Sequence, residues 1–154
     1  MEKAITKNSP KKGVIGIDEV GRGPLAGPIT LCAVYIENTE LVKKDIFEDT
    51  IRDSKKLSKA KRNNIYLTIR ENRYLKTEII YTISSRSAEY IDKHGISKAT
   101  KSCLRSCMFQ LSKNGVDIYE IDTNLDAGLV IPIKGLKQKN FIKGDENYTE
   151  IALA

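Results

Sequence analysis

Apolar and polar residues follow one another along the chain in patterns that predict both strands and helices. An apolar run over residues 13–18 predicts a buried strand, and residues 29–36 predict its neighbour beyond a connection rich in glycine and proline. Alternation over residues 74–84 predicts a third strand. Two further strands are expected over residues 116–122 and 139–142.

Helical periodicity separates these strands. Ser58 is a suitable N-cap for a helix over residues 59–72, and residues 88–93 predict a short helix before Gly95. A longer amphipathic helix, closed by Asn114-Gly115, is indicated by apolar residues that recur every fourth position: Ala99, Cys103, Cys107 and Leu111. Residues 37–57 are polar and are expected to be irregular, and a last helix begins near residue 148. The order β-β-α-β-α-α-β-β-α predicts an α/β or α+β domain, with a mixed sheet flanked by helices.

Length and charge narrow the class of protein. The 154 residues fit one domain over residues 13–154, preceded by a basic N-terminal arm over residues 1–12. The net charge of +6 favours a polyanionic partner, and no apolar run reaches membrane-spanning length. Three cysteines without a CxxC pair are typical of a reducing compartment, so a cytoplasmic location is expected.

Four acidic residues stand at plausible strand ends: Asp18, Glu19, Asp122 and Asp145. A single aspartate there is most often a turn cap. Four such acids, followed in the first case by a glycine-framed arginine, favour a site for a hard cation. We therefore predict that they converge and bind Mn²⁺ or Mg²⁺, in a site for two ions that can act on a phosphodiester.

The adjacent carboxylates pose a geometric problem, because neighbouring side chains on a regular strand point to opposite faces. Asp18 and Glu19 can share a site if the strand breaks near them, and Gly21 and Gly23 make a break plausible. Arg22 between these glycines could be an ordinary surface residue. A phosphate contact is the better interpretation, because glycines let backbone N–H groups approach a phosphate and arginine binds it with two donors.

The string Asp-Glu-Val-Gly-Arg-Gly-Pro-Leu-Ala-Gly-Pro over residues 18–28 resembles the signature of type 2 ribonuclease H, the ribonuclease HII family. The resemblance runs from Gly13 through nearly the whole chain. It implies a ribonuclease H-like fold and a metal-dependent endonuclease. Such an enzyme cuts the RNA strand of RNA–DNA hybrids, or DNA 5′ to an embedded ribonucleotide, and leaves 3′-hydroxyl and 5′-phosphate ends. It also implies that Asp18 and Glu19 are metal ligands and that residues 21–23 recognise the ribonucleotide at the junction.

Shorter motifs extend the resemblance. The Asp-Ser-Lys-Lys-Leu-Ser string over residues 53–58 implies that Lys55 and Lys56 approach the nucleic-acid backbone, and residues 95–100, ending at Thr100, resemble the segment that leads into a DNA-contacting helix. Asp122-Thr123-Asn124 resembles the family's Asp-Gly-Asn, with threonine in place of glycine, and implies the third acid. Lys143-Gly144-Asp145 resembles its Lys-Gly-Asp and implies the fourth.

The family continues beyond the stretch that resembles residues 151–154, with more helices and a tyrosine that stacks on the sugar beside the ribonucleotide. The resemblance therefore implies a C-terminally truncated form that lacks the family's C-terminal helices. Two functions stay open at this point. The chain is either a nuclease, expected to be monomeric and to act on RNA–DNA hybrid or ribonucleotide-containing duplex DNA, or a catalytically weak nucleic-acid-binding remnant of such an enzyme.

Overall fold

The structure is a computed structural model that describes residues 13–23, 26–46, 57–72, 75–126 and 128–154. The arm over residues 1–12 and the two lysines of the 53–58 string, Lys55 and Lys56, lie outside the described residues. Their expected roles stay predictions.

A mixed five-stranded sheet forms the centre of the described chain, as predicted. The spatial order is β3-β2-β1-β4-β5. The first three strands in sequence pair antiparallel, whereas β4 and β5 continue the sheet in parallel from β1. The strands are β1 (Val14–Val20), β2 (Ile29–Ile36), β3 (Ile79–Arg86), β4 (Asp122–Asp126) and β5 (Gln138–Phe141).

Helices flank the sheet. They are α1 (Thr39–Ile46), α2 (Lys59–Glu71), α3 (Leu75–Glu78), α4 (Ala88–His94), α5 (Ile96–Lys113), α6 (Gly144–Asn147) and α7 (Thr149–Leu153). The predicted cap of α2 is confirmed, because the Ser58 hydroxyl accepts the Lys61 N–H at 3.2 Å. The long amphipathic helix is confirmed as α5, which ends before Asn114. Within the described ranges, no helix is both long and apolar enough to cross a membrane.

Three expectations about elements were wrong. Helix α1 lies in a stretch expected to be irregular, and the third strand begins at Ile79 because the short helix α3 takes the preceding residues. The strand expected over residues 116–122 is absent. Ile118 and Ile121 are buried in turns, and β4 begins at Asp122, where the expected strand would have ended. Burial in a turn produces the same apolar spacing as burial in a short strand.

The two faces of the sheet are covered unequally. Helix α5 packs its buried face, including Cys103, Cys107 and Leu111, against the side of the sheet that carries Ile15 and Ile17. The opposite side carries a smaller cluster that involves residues of α1, α2, α3 and α7. Residues with even numbers on β1, Asp18 among them, belong to this second side because strand side chains alternate.

Helix α7 lies against β1 at Gly16. A Cβ atom at this position would overlap the backbone carbonyl group of Glu150, so the contact between the helix and the strand requires glycine. The Glu150 side chain is itself buried and accepts a hydrogen bond from Asn124 of β4 at 2.7 Å. Helix α7 is thus joined to the two central strands that carry the acidic residues discussed below.

Replacing Gly16 with alanine should destabilise the fold by about 1–3 kcal/mol, the usual effect of an added carbon where the packing cannot yield. Urea unfolding followed by circular dichroism measures the change. Gly23→Ala is the matched control, because a Cβ there meets no atom of the described residues within 4 Å. Equal stability of the two variants would contradict the close approach of α7 to β1.

Candidate active site

The ends of β1 and β4 define the site. These strands are parallel, and their last paired residues are Ile17 and Leu125. The next residues are Asp18 and Asp126, so two carboxylates follow side by side on neighbouring strands. Because β4 ends at Asp126 while β1 continues to Val20, the edge of β1 beyond Ile17 is free of a strand partner on that side.

Asp18 and Glu19 reach the site without the break that the sequence suggested. Strand β1 runs regularly through both residues, which pair with Cys32 and Leu31 of β2. The expectation of a break near the acids is therefore wrong. The site is instead opened by the end of β4, which leaves the edge of β1 beside the acids without a strand partner. Both carboxylates line the same groove as Asp126, and the Glu19 N–H donates to Asp18 Oδ1 at 2.7 Å.

The first residues of α6 bring Asp145 to the same region. The Gly144 N–H donates to Asp126 Oδ1 at 3.1 Å, which links the start of this helix directly to the end of β4. Ile151 of α7 fills the space beside Gly144, where a Cβ would lie 2.5 Å from its Cδ1 atom. Asp145 is buried, and its charge acts on Asp18.

The electrostatics of the cluster are unfavourable in the absence of a cation. Burial raises the pKa of Asp18 to about 6, against the effect of the Glu19 N–H, and the charges of Glu19, Asp126 and Asp145 raise it further. Burial also raises the pKa of Glu19, while the Arg22 guanidinium opposes this rise. The neighbouring carboxylates therefore lie close enough to Asp18 to disfavour its ionisation.

Asp122 lies outside this cluster, so the expectation that it converges with the other three acids was wrong. It is exposed and pairs with Val14, at the beginning of β1. Asp126 lies four residue steps further along the parallel strand, a distance of about 13 Å. The predicted convergence therefore holds for Asp18, Glu19 and Asp145, and Asp126 stands where Asp122 was expected.

A signal for Asp126 was present in the sequence. It follows Leu125 and precedes the small residues Ala127 and Gly128, whereas the Asp122 motif required threonine in place of glycine. The strand that ends at Asp126 was hard to recognise because its buried residues include Thr123 and Asn124, and polar residues are not typical of a core strand. The hydrogen bond that Asn124 donates to Glu150 gives one of these buried side chains a partner.

The turn after β1 contains the glycine-framed arginine. Gly21 has φ +98°, and a Cβ there would overlap the carbonyl oxygen of Pro28, so this glycine is required by the turn itself. Gly23 has open space around it and lies outside the left-handed region. The Nη1 atom of Arg22 lies 3.5 Å from Glu19 Oε1.

The donor set fits a divalent cation, although no ready arrangement of three or more acidic, histidine or cysteine side chains that could hold one occurs among the described residues. The Oε2 atom of Glu19 is buried and has no hydrogen-bond partner. A buried carboxylate oxygen without a partner is unfavourable unless a cation or donor reaches it. Oxygen ligands of this kind are those that Mg²⁺ and Mn²⁺ prefer.

A groove of about 630 Å³ adjoins the acids, between the sheet and helices α2 and α7. Its lining includes Asp18, Glu19 and Asp126, and Arg62 of α2. Thr100 does not line this groove: its hydroxyl donates to the Ile96 carbonyl within α5 at 2.9 Å. The contact of Thr100 with DNA stays a prediction.

This sheet, with three antiparallel strands extended by two parallel ones and acids at the ends of β1 and β4, defines a ribonuclease H-like fold. The family model described as Ribonuclease HII matches residues 15–154. The chain is 36% identical to a ribonuclease HII of Bartonella tribocorum over 141 residues, and 37% identical to one of Macrococcus caseolyticus over 144 residues. The chain belongs to the ribonuclease HII family.

A solved structure agrees on the fold. The ribonuclease HII in the PCNA:RNase HII complex of Archaeoglobus fulgidus matches with a TM-score of 0.67 at 24% identity, over 91% of this chain and 67% of that one. The Bartonella and Macrococcus alignments include 92% and 93% of this chain. They include only 56% and 47% of those relatives, so the chain spans about half the length of the curated relatives it matches.

The two candidate third acids can be separated by metal binding. Asp126→Asn should weaken Mn²⁺ binding on the order of tenfold or more, because an amide cannot offset the charge of a dication. Asp122→Asn should leave the affinity unchanged, since Asp122 lies at the other end of β4. Calorimetric titration measures both. A loss confined to the Asp122 variant would restore the sequence-based assignment.

Proposed function

We propose that the chain is a divalent-cation-dependent endonuclease that hydrolyses the RNA strand of RNA–DNA hybrids and DNA 5′ to an embedded ribonucleotide. The products would carry 3′-hydroxyl and 5′-phosphate ends. One observation carries the proposal: acids from β1, the end of β4 and the start of α6 act on one another at one place, and the Glu19 among them has a buried, unpartnered oxygen, in a chain of the ribonuclease HII family.

Asp18, Glu19, Asp126 and Asp145 would hold Mn²⁺ or Mg²⁺, with two ions as the expected number. When bound, such ions activate a water molecule and stabilise the leaving oxygen of a phosphodiester. The protein's own contribution is to hold the carboxylates in place. The Glu19 N–H orients Asp18, and the Gly144 N–H orients Asp126.

Nucleic acid would approach between the Gly21–Arg22–Gly23 turn and α2. The open space at Gly23 allows a sugar to come close to the backbone, where a 2′-hydroxyl can accept or donate a hydrogen bond. Helix α2 presents basic side chains that can neutralise phosphates, and Arg62 also lines the groove. They are Lys59, Lys61 and Arg62, and Lys55 and Lys56 precede them in sequence. The three cysteines are free thiols, which supports the expected cytoplasmic location.

Cleavage of end-labelled substrates tests the proposal. The 154-residue chain should cut an RNA–DNA hybrid, and duplex DNA with one embedded ribonucleotide, in Mn²⁺ or Mg²⁺ but not in chelator. Polymerase extension and ligation of the products identify the 3′-hydroxyl and 5′-phosphate ends. Asp18→Asn should abolish cleavage while the far-ultraviolet circular dichroism stays unchanged, and Asp122→Asn should retain full activity.

Three results would count against this function: equal cleavage of an all-DNA duplex, full activity of Asp18→Asn, or loss of activity in Asp122→Asn alone. Metal-dependent binding of the hybrid with no cleavage in either cation would favour the alternative, a nucleic-acid-binding remnant.

Gly23→Ala should reduce cleavage of the hybrid about tenfold or more, because a Cβ would occupy the space proposed for the ribose. Affinity for an all-DNA duplex should change little, which a fluorescence anisotropy titration can show. The fold should tolerate this change, since the Cβ comes within 4 Å of no atom in the part of the chain that the structure describes. Parallel losses in cleavage and in DNA affinity would assign Gly23 a general binding role instead.

A further inference from the structure

Arg22 forms an ion pair with Glu19, which is one of the proposed ligands of the cation. Its Nη1 atom lies 3.5 Å from Glu19 Oε1. The Glu19 side chain is 11% exposed and the Arg22 side chain 50% exposed. The carboxylate is therefore confined, whereas the guanidinium is half in solvent and can leave.

The position of Arg22 is shaped by two turns. The left-handed Gly21 directs the chain back after β1, which brings Arg22 over Glu19. Gly128, in the turn after β4, provides room for the guanidinium: a Cβ there would lie 3.2 Å from Nη1. The pair is thus enclosed by the segments that follow the two acid-bearing strands.

If Arg22 and a divalent cation both contacted the Glu19 carboxylate, their positive charges would repel each other. Two unit charges about 4 Å apart interact by an amount that changes a binding constant about fivefold even in bulk water, and a dication doubles the interaction energy, which squares that factor. A phosphate group offers the released guanidinium a geometrically better partner, with two parallel hydrogen bonds.

We propose that Arg22 is an exchangeable counter-ion: it neutralises Glu19 while the site holds no cation, and it leaves when the cation binds and becomes available to a phosphate of the nucleic acid. The inference rests on the proposed metal-dependent function and concerns how the two ligands are coupled. Because both ligands favour the released position of Arg22, each should strengthen the binding of the other.

Calorimetric titration with Mn²⁺, in the absence of nucleic acid, tests the exchange. Arg22→Gln should bind Mn²⁺ about fivefold or more tightly than the unmodified chain, because the competing charge is gone. Arg22→Met, which keeps an unbranched side chain without the charge, should do the same, and Arg22→Lys should stay closer to the original affinity. Lys137→Gln is the matched control for net charge, since Lys137 pairs with the exposed Glu120, far from the site.

The coupling is tested by repeating the titration with a saturating all-DNA duplex. The duplex should tighten Mn²⁺ binding to the unmodified chain and tighten it much less in Arg22→Gln. Unchanged or weaker Mn²⁺ binding in both uncharged variants would overturn the exchange, as would an equal gain in Lys137→Gln. If the unmodified chain binds no Mn²⁺, or Asp18→Asn binds it equally well, the proposed function fails instead.

Discussion

Burial of neighbouring carboxylates at the end of β1 is the constraint on which the local structure depends. Burial, and to a smaller extent the neighbouring charges, raises the pKa of Asp18 to about 6, so the ionised cluster is costly without a compensating charge. The fold partly offsets this with backbone donors and one arginine: the Glu19 N–H on Asp18, the Gly144 N–H on Asp126, and the Arg22 guanidinium on Glu19. A group of buried acids whose charge is only partly neutralised by the protein is expected where a bound cation supplies the remaining positive charge.

The acids are held by close packing as much as by hydrogen bonds. Helix α7 reaches β1 because Gly16 has no side chain, and its Ile151 occupies the space beside Gly144. Through these contacts, α7 packs against both the strand that carries Asp18 and the helix α6 that carries Asp145. The buried bond between Asn124 and Glu150 ties the same helix to β4. A short helix with no acid of the cluster on it thus determines the relative placement of the acids.

The glycines of the turn after β1 have different roles, although they frame the same arginine in sequence. Gly21 is required by its positive φ and by the carbonyl of Pro28, whereas no contact among the described residues requires a glycine at position 23. Because the fold gives no reason for a glycine at position 23, next to the acidic cluster, we explain it by a ligand that comes close to the backbone there. For this reason, the proposal for ribose recognition depends on Gly23 more than on Gly21.

The sequence by itself determined the family, the mixed sheet, strand β2, the capped helix α2 and the long helix α5, because strong periodicity and specific motifs are local properties. It also identified Asp18, Glu19 and Asp145 as members of one cluster. Tertiary structure decided which aspartate lies in the cluster: only the parallel register of β1 and β4 places Asp126 beside Asp18 and leaves Asp122 at the far end. Tertiary structure likewise determined how Asp18 and Glu19 share a site, through the early end of β4. Register and strand length depend on contacts between residues more than a hundred positions apart, such as Ile17 and Leu125, and no local pattern records them.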